Sequence, residues 1–121
     1  MKDEFSLSLP LGSAYLTTVR LTVGGICALA GLDIDKTEDI KVCVTEGLLL
    51  LSRNGFSRAN VFLCVDGELR ISLSGEGERE RTERADEDEI SYALLAALSD
   101  DASFTDNGNT FTISLINSIE R

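Results

Sequence analysis

Apolar and polar residues alternate at the start of the chain, where Ser6 and Ser8 separate Phe5, Leu7 and Leu9. A period of two puts alternate side chains on opposite faces, so this segment reads as a half-buried strand ended by Pro10. The period then lengthens. Leu16, Val19, Val23, Ile26 and Ala30 recur at three- and four-residue spacing, which predicts a helix from about Ser13 to Ala30. Ser13 suits its start and Gly31 its end. Gly24-Gly25 inside it costs about 1 kcal/mol per glycine relative to alanine, and close backbone packing accounts for the pair.

A second helix is predicted from about Lys36 to Arg53, with Ile40, Val44, Gly47, Leu48 and Leu51 on one face. Asp35 and Glu38 have capping-box-like spacing, and Asn54-Gly55 stops the helix. Leu48-Leu49-Leu50-Leu51 makes its last turns apolar nearly all round, so that end is buried or covered by a partner. Val61, Leu63 and Val65, the turn Asp66-Gly67, and Leu69, Ile71 and Leu73 then spell a hairpin. The charged run Glu78 to Glu89 follows, with Ala85 as its one apolar residue. It reads as a solvated, mobile loop running into a frayed helix start. A third helix, roughly Glu87 to Ser99, turns Ile90, Leu94, Ala97 and Leu98 inward. Ala102 and Phe104, the turn Asn107-Gly108, and Phe111, Ile113 and Leu115 make a second hairpin.

The order β-α-α-β-β-α-β-β predicts an α+β fold: a two-layer sandwich of a five-stranded, mostly antiparallel sheet with three helices on one face. At 121 residues the chain suits a single domain, residues 1–121, with a core large enough to need no disulfide or metal.

Charge narrows the function. Eleven Lys and Arg against 21 Asp and Glu give a formal charge of −10, which opposes nucleic-acid backbones and anionic membranes as partners. There is no histidine, so imidazole-based triads, proton shuttles and zinc sites are excluded. Cys27, Cys43 and Cys64 lack metal or redox spacing and lie in apolar runs, which predicts buried core thiols. Such cysteine usage, with no signal-peptide pattern and no apolar run long enough to span a membrane, points to a cytoplasmic protein.

The second helix carries the most specific pattern, Glu38-Asp39-Ile40-Lys41-Val42-Cys43-Val44-Thr45-Glu46 through Asn54-Gly55-Phe56. With Thr18 to Val23 on the first helix and Leu98 to Ile113 at the end, it resembles the anti-sigma-factor serine kinases. These belong to the GHKL, or histidine-kinase-like ATPase, superfamily. The resemblance implies that fold with a shortened nucleotide lid. It also implies that Glu46 matches the family glutamate that orients or deprotonates the attacking hydroxyl. On fold alone, Glu46 reads equally as a paired structural carboxylate.

Three family motifs are altered. Leu50 stands where the family has the magnesium-binding asparagine, and leucine has no oxygen to offer a hard cation. Asn54, one turn on, carries a carbonyl oxygen, but a metal there would shift about 6 Å along the helix. Leu73-Ser74-Gly75-Glu76-Gly77 matches the family's D-x-G-x-G. Gly75 and Gly77 remain, serving either a ligand's approach or a plain turn, while Leu73 replaces the aspartate that recognises adenine. The glycine-rich phosphate turn is replaced by Asp86 to Glu89, four carboxylates that would repel a triphosphate.

The resemblance therefore implies a protein-binding regulator with a vestigial nucleotide site and no ATP, magnesium or other metal. Its partners would be a sigma factor or an anti-anti-sigma protein. It would form a homodimer through its first helix, with Tyr15 and Arg20 among the contacts. The competing reading is an ATP- and magnesium-dependent protein serine kinase acting on an anti-anti-sigma protein.

Overall fold

The computed structural model describes residues 2–80 and 86–119. Its elements run β1 (Asp3–Pro10), α1 (Ser13–Leu29), α2 (Ile34–Arg53), β2 (Arg58–Val65), β3 (Glu68–Glu76), α3 (Asp86–Leu98), β4 (Asp101–Asp106) and β5 (Phe111–Ser118). All five strands lie in one antiparallel sheet in the order β1-β2-β3-β5-β4. The expected α+β architecture is present, and α3 supplies the crossover between the two hairpins.

The period-two segments bury one set of side chains. Leu9, Ala59, Val61, Leu63, Leu69, Ile71, Leu73, Phe111, Ile113 and Leu115 join one core with the inner faces of the helices. Val19, Val23, Ile26 and Cys27 enter it from α1. Ile40, Cys43, Val44, Gly47, Leu48, Leu50 and Leu51 enter it from α2, which packs against both other helices. The apolar end of α2 is thus covered by the chain itself. Gly47 lets it touch the sheet: a Cβ there would lie 2.3 Å from Leu73 Cδ1.

The other face of the sheet is open, and two rows cross all five strands. One is Ser6, Phe62, Ser72, Ser114 and Ser103; the other is Ser8, Asn60, Ser74, Thr112 and Thr105. None of the ten is charged.

Local chemistry departs from expectation at the helix starts. α1 begins after Gly12 with no side-chain cap, so Ser13 lies inside the helix. α2 is capped by Asp33, whose carboxylate accepts the Lys36 amide at 2.8 Å, and Asp35 falls in its first turn. α3 presents Asp88, Ser91 and Leu95 inward. Ile90, expected inside, is 61% exposed, and Ala97 is exposed as well. A buried counter-charge for α2 sets that rotation, as the site geometry shows.

Candidate functional site

The end of α2, the start of α3 and the segment after β3 meet in one polar network. Glu46 Oε2 accepts the Ser91 hydroxyl at 3.0 Å. Ser91 Oγ in turn accepts from Arg53 Nη2. Arg53 Nε donates to Asp88 Oδ1 at 2.8 Å, and Asp88 is 4% exposed at its side chain. Asn54 Nδ2 donates to Asp88 Oδ2 at 3.2 Å and to the Leu50 carbonyl at 2.8 Å. The arginine is the last residue of α2, and a buried carboxylate is tolerated only when paired and hydrogen-bonded. Placing Asp88 against it requires the inward face of α3 to carry Asp88 and Ser91 instead of Ile90.

Arg79 closes the network from outside. Its guanidinium donates to the Asn54 carbonyl (2.8 Å), Asn54 Oδ1 (3.1 Å), Asp106 Oδ1 (2.7 Å) and the Gly108 carbonyl (2.9 Å). It lies 5.1 Å from the Phe56 ring centroid and 5.8 Å from that of Phe111. The Arg79 side chain is 7% exposed. The charged run is therefore not a solvated face at Arg79 or Asp88. Residues 81–85 of that run lie outside the described residues.

Gly55 makes the Arg79 segment possible. Its φ is +96°, and a Cβ there would collide with the Glu80 carbonyl oxygen at 1.7 Å. The Glu80 amide donates to the Gly55 carbonyl at 3.0 Å. Only glycine accepts both the left-handed conformation and this approach.

The residues matching the nucleotide motifs are taken up by the chain itself. Leu50 and Leu73 are fully buried in the core. The Asn54 carbonyl oxygen that could face a metal accepts from Arg79. The space a side chain at Gly75 would need holds the Phe56 ring, 2.4 Å from the ideal Cβ position. Gly77, with φ +95°, makes the turn out of β3. A cavity of about 480 Å³ remains beside these residues, lined by Ser52, Gly55, Phe56, Ser57, Glu78 and Glu80. Among the described residues, its ionisable side chains are the carboxylates of Glu78 and Glu80, which do not attract phosphate. Among the described residues no three acidic or thiol side chains gather as a metal site.

Tyr15 and Arg20 take no part in this network. Both are exposed on α1, and five residues of separation turns them about 140° apart around the axis. Sequence reasoning missed Arg53, Arg79, Asp88 and Ser91. The i, i+7 relation of Glu46 and Arg53 on α2 was a usable signal, since it puts both on one face. Nothing in a run of alternating charges marks which carboxylate is buried.

No protein-family profile matches the chain. A serine-protein kinase RsbW from Staphylococcus epidermidis is 27% identical over 84 residues, covering 64% of this chain and 53% of that protein. One from Listeria monocytogenes is 30% identical over 71 residues, covering 59% and 42%. The matched segment thus spans about half the length of these relatives, or less. Among solved structures, the RsbU and RsbW domains of Rv1364c from Mycobacterium tuberculosis superpose with a TM-score of 0.75 at 19% identity. That match covers 98% of this chain and 33% of the other. Among the described residues, no helix is long and apolar enough to cross a membrane. The chain is thus similar in sequence to the RsbW serine-protein kinases, and it shares the fold of an RsbW-containing structure.

Proposed function

We propose that this chain is an anti-sigma-factor-like regulator that binds protein partners and does not use ATP. One observation carries the reading: the side chains at the nucleotide motifs are satisfied by one another. Leu50 and Leu73 belong to the core, Phe56 covers Gly75, and Arg79 holds the Asn54 oxygen. A ligand entering there would have to break the Arg79 bonds and the Phe56 contact before making any of its own. The partners are of the classes the resemblance implies, a sigma factor or an anti-anti-sigma protein, and the working unit is a homodimer in the cytoplasm.

The competing reading, an ATP-dependent serine kinase, has one feature in its favour. Glu46 holds a serine hydroxyl at 3.0 Å, the arrangement a base needs toward its substrate. That hydroxyl belongs to Ser91 of the same chain and is buried, so Glu46 is engaged by an internal serine. Kinase activity would require this bond to break and Glu46 to turn to an incoming hydroxyl.

Thermal melting with millimolar ATP and magnesium separates the two. Ligand at 100 times its dissociation constant adds about 2.7 kcal/mol of stability. The expected result is an unchanged melting temperature. A rise that disappears on adding chelator would establish a working nucleotide site and overturn the proposal.

A further inference from the structure

The chain contains two Asn-Gly pairs, Asn54-Gly55 and Asn107-Gly108. In such a pair the backbone nitrogen of the glycine can attack the side-chain amide carbon of the asparagine and close a succinimide ring. Glycine favours the step, because no side chain crowds the attacking nitrogen. The reaction is intramolecular, so its rate depends on whether the fold lets the side-chain amide reach that nitrogen.

The fold treats the two pairs differently. The Asn54 side chain is pinned at both ends. Its Nδ2 donates to the Leu50 carbonyl at 2.8 Å and to Asp88 at 3.2 Å, and its Oδ1 accepts from Arg79 at 3.1 Å. The Gly55 amide donates to the Ser52 carbonyl at 3.1 Å. Turning the Asn54 amide toward that nitrogen would break all of these bonds. Asn107 is exposed, in the turn between β4 and β5. The bond described for its side chain runs from Nδ2 to Thr110 Oγ1 at 3.5 Å, a distance at which a hydrogen bond is weak.

The same turn holds Arg79. The Gly108 N–H donates to Asp106 Oδ1 at 2.9 Å, and the Gly108 carbonyl accepts from Arg79 Nη1 at 2.9 Å. Asp106 also accepts from Arg79, at 2.7 and 3.1 Å. The peptide unit after Asn107 is therefore part of what keeps Arg79 over Asn54 and Phe56. Any change in the length of the main chain between Asn107 and Gly108 moves that unit.

We propose that Asn107-Gly108 is a site of spontaneous deamidation, and that the isoaspartate formed there loosens the Arg79 closure over the end of α2. The Gly108 nitrogen bonds to Asn107 Cγ, and the bond from Cγ to the side-chain nitrogen breaks. That nitrogen leaves as ammonia, and the proton shed by the Gly108 N–H balances the one it gains. Water then opens the ring, with no oxidant or reductant involved. Cleavage of the new bond leaves aspartate. Cleavage of the original peptide bond leaves isoaspartate, whose main chain runs through Cβ and Cγ and is longer by a methylene. The longer chain shifts the Gly108 N–H and carbonyl away from Asp106 and Arg79. The inference depends on neither the partner reading nor the nucleotide reading.

The full-length chain is incubated in neutral buffer at body temperature, and asparagine loss is mapped by mass spectrometry with fragmentation that separates aspartate from isoaspartate. In the folded chain Asn107 should be lost at least about tenfold faster than Asn54. In guanidinium, where neither side chain is held, the two rates should converge. The Glu80 amide, bonded to the Gly55 carbonyl at 3.0 Å, reports the closure. In the purified isoaspartate form its hydrogen exchange should be at least about tenfold faster than in the unmodified chain. In Asn107→Asp, which adds the same charge to an unaltered main chain, it should stay slow. Equal loss at both sites in the folded chain, or a rate difference that persists in guanidinium, would overturn the proposal. So would slow Glu80 exchange in the isoaspartate form, or equally fast exchange in Asn107→Asp.

Discussion

Arg53 and Asp88 link α2 to α3 through a charge-assisted hydrogen bond in which the acid is almost wholly shielded from water. Removing one partner of such a pair strands the other. Arg53→Ala is expected to cost about 3 kcal/mol, since Asp88 keeps only the Asn54 amide as a donor among the bonds described. Arg53→Leu combined with Asp88→Leu is expected to recover most of that loss, because a packed apolar pair often matches a buried ionic one. Denaturant unfolding of the two single variants and the double would give the coupling directly. Composition identified the charges but could not say which of them meet. Glu46 was legible because its neighbours on α2 match a known pattern. Asp88 was not, because its burial depends on an arginine 35 residues away.

At the scale of elements, the periods of two and near 3.6 located all eight, and the Asn-Gly and Asp-Gly pairs located their turns. Periodicity misplaces the inward face of α3, because Asp88 and Ser91, and not Ile90, face α2 there. It also put the start of α2 late, because Asp33 and Asp35 are both plausible caps by type and only Asp33 accepts an amide. The thiols on α1 and α2 were placed correctly in the core. Cys27 and Cys43 are fully buried. Burial raises both thiols, and Cys43 is pushed up to about 11. A thiol whose folded pKa is raised contributes stability that is complete below the unfolded value and is lost as pH rises toward the folded one. Stability is therefore expected to hold to about pH 8.5, the ordinary thiol range, and to decline above it. At neutral pH a thiol reagent should label Cys27 and Cys43 only at the rate of unfolding. Fast labelling in the folded protein would show that the α1–α2 contact opens.

For the molecule as a whole, the fold was readable from element order, and the resemblance added which end of α2 to inspect. What it could not supply was the state of that end, which depends on Arg79 and Phe56 closing over it. The expected homodimer is open to direct measurement. Arg20 is exposed on α1, and reversing its charge should leave stability within about 0.5 kcal/mol. Arg20→Glu is expected to weaken self-association in sedimentation while leaving the melting temperature unchanged. A wild-type chain that stays monomeric at every concentration would remove α1 from consideration as a dimer surface.

The ten uncharged positions across the open face of the sheet give the molecule an electrically quiet side. Its charge is carried at the strand ends, on the helices and in the run after β3. Two copies drifting together therefore feel most of their mutual repulsion when helices or strand ends lead, and least when the sheets lead. Because dissolved ions shorten the reach of that repulsion to about 8 Å at physiological strength, salt would change how often the charged sides meet more than it changes sheet-first encounters. Ionic strength thus biases the orientation of approach before any contact has formed.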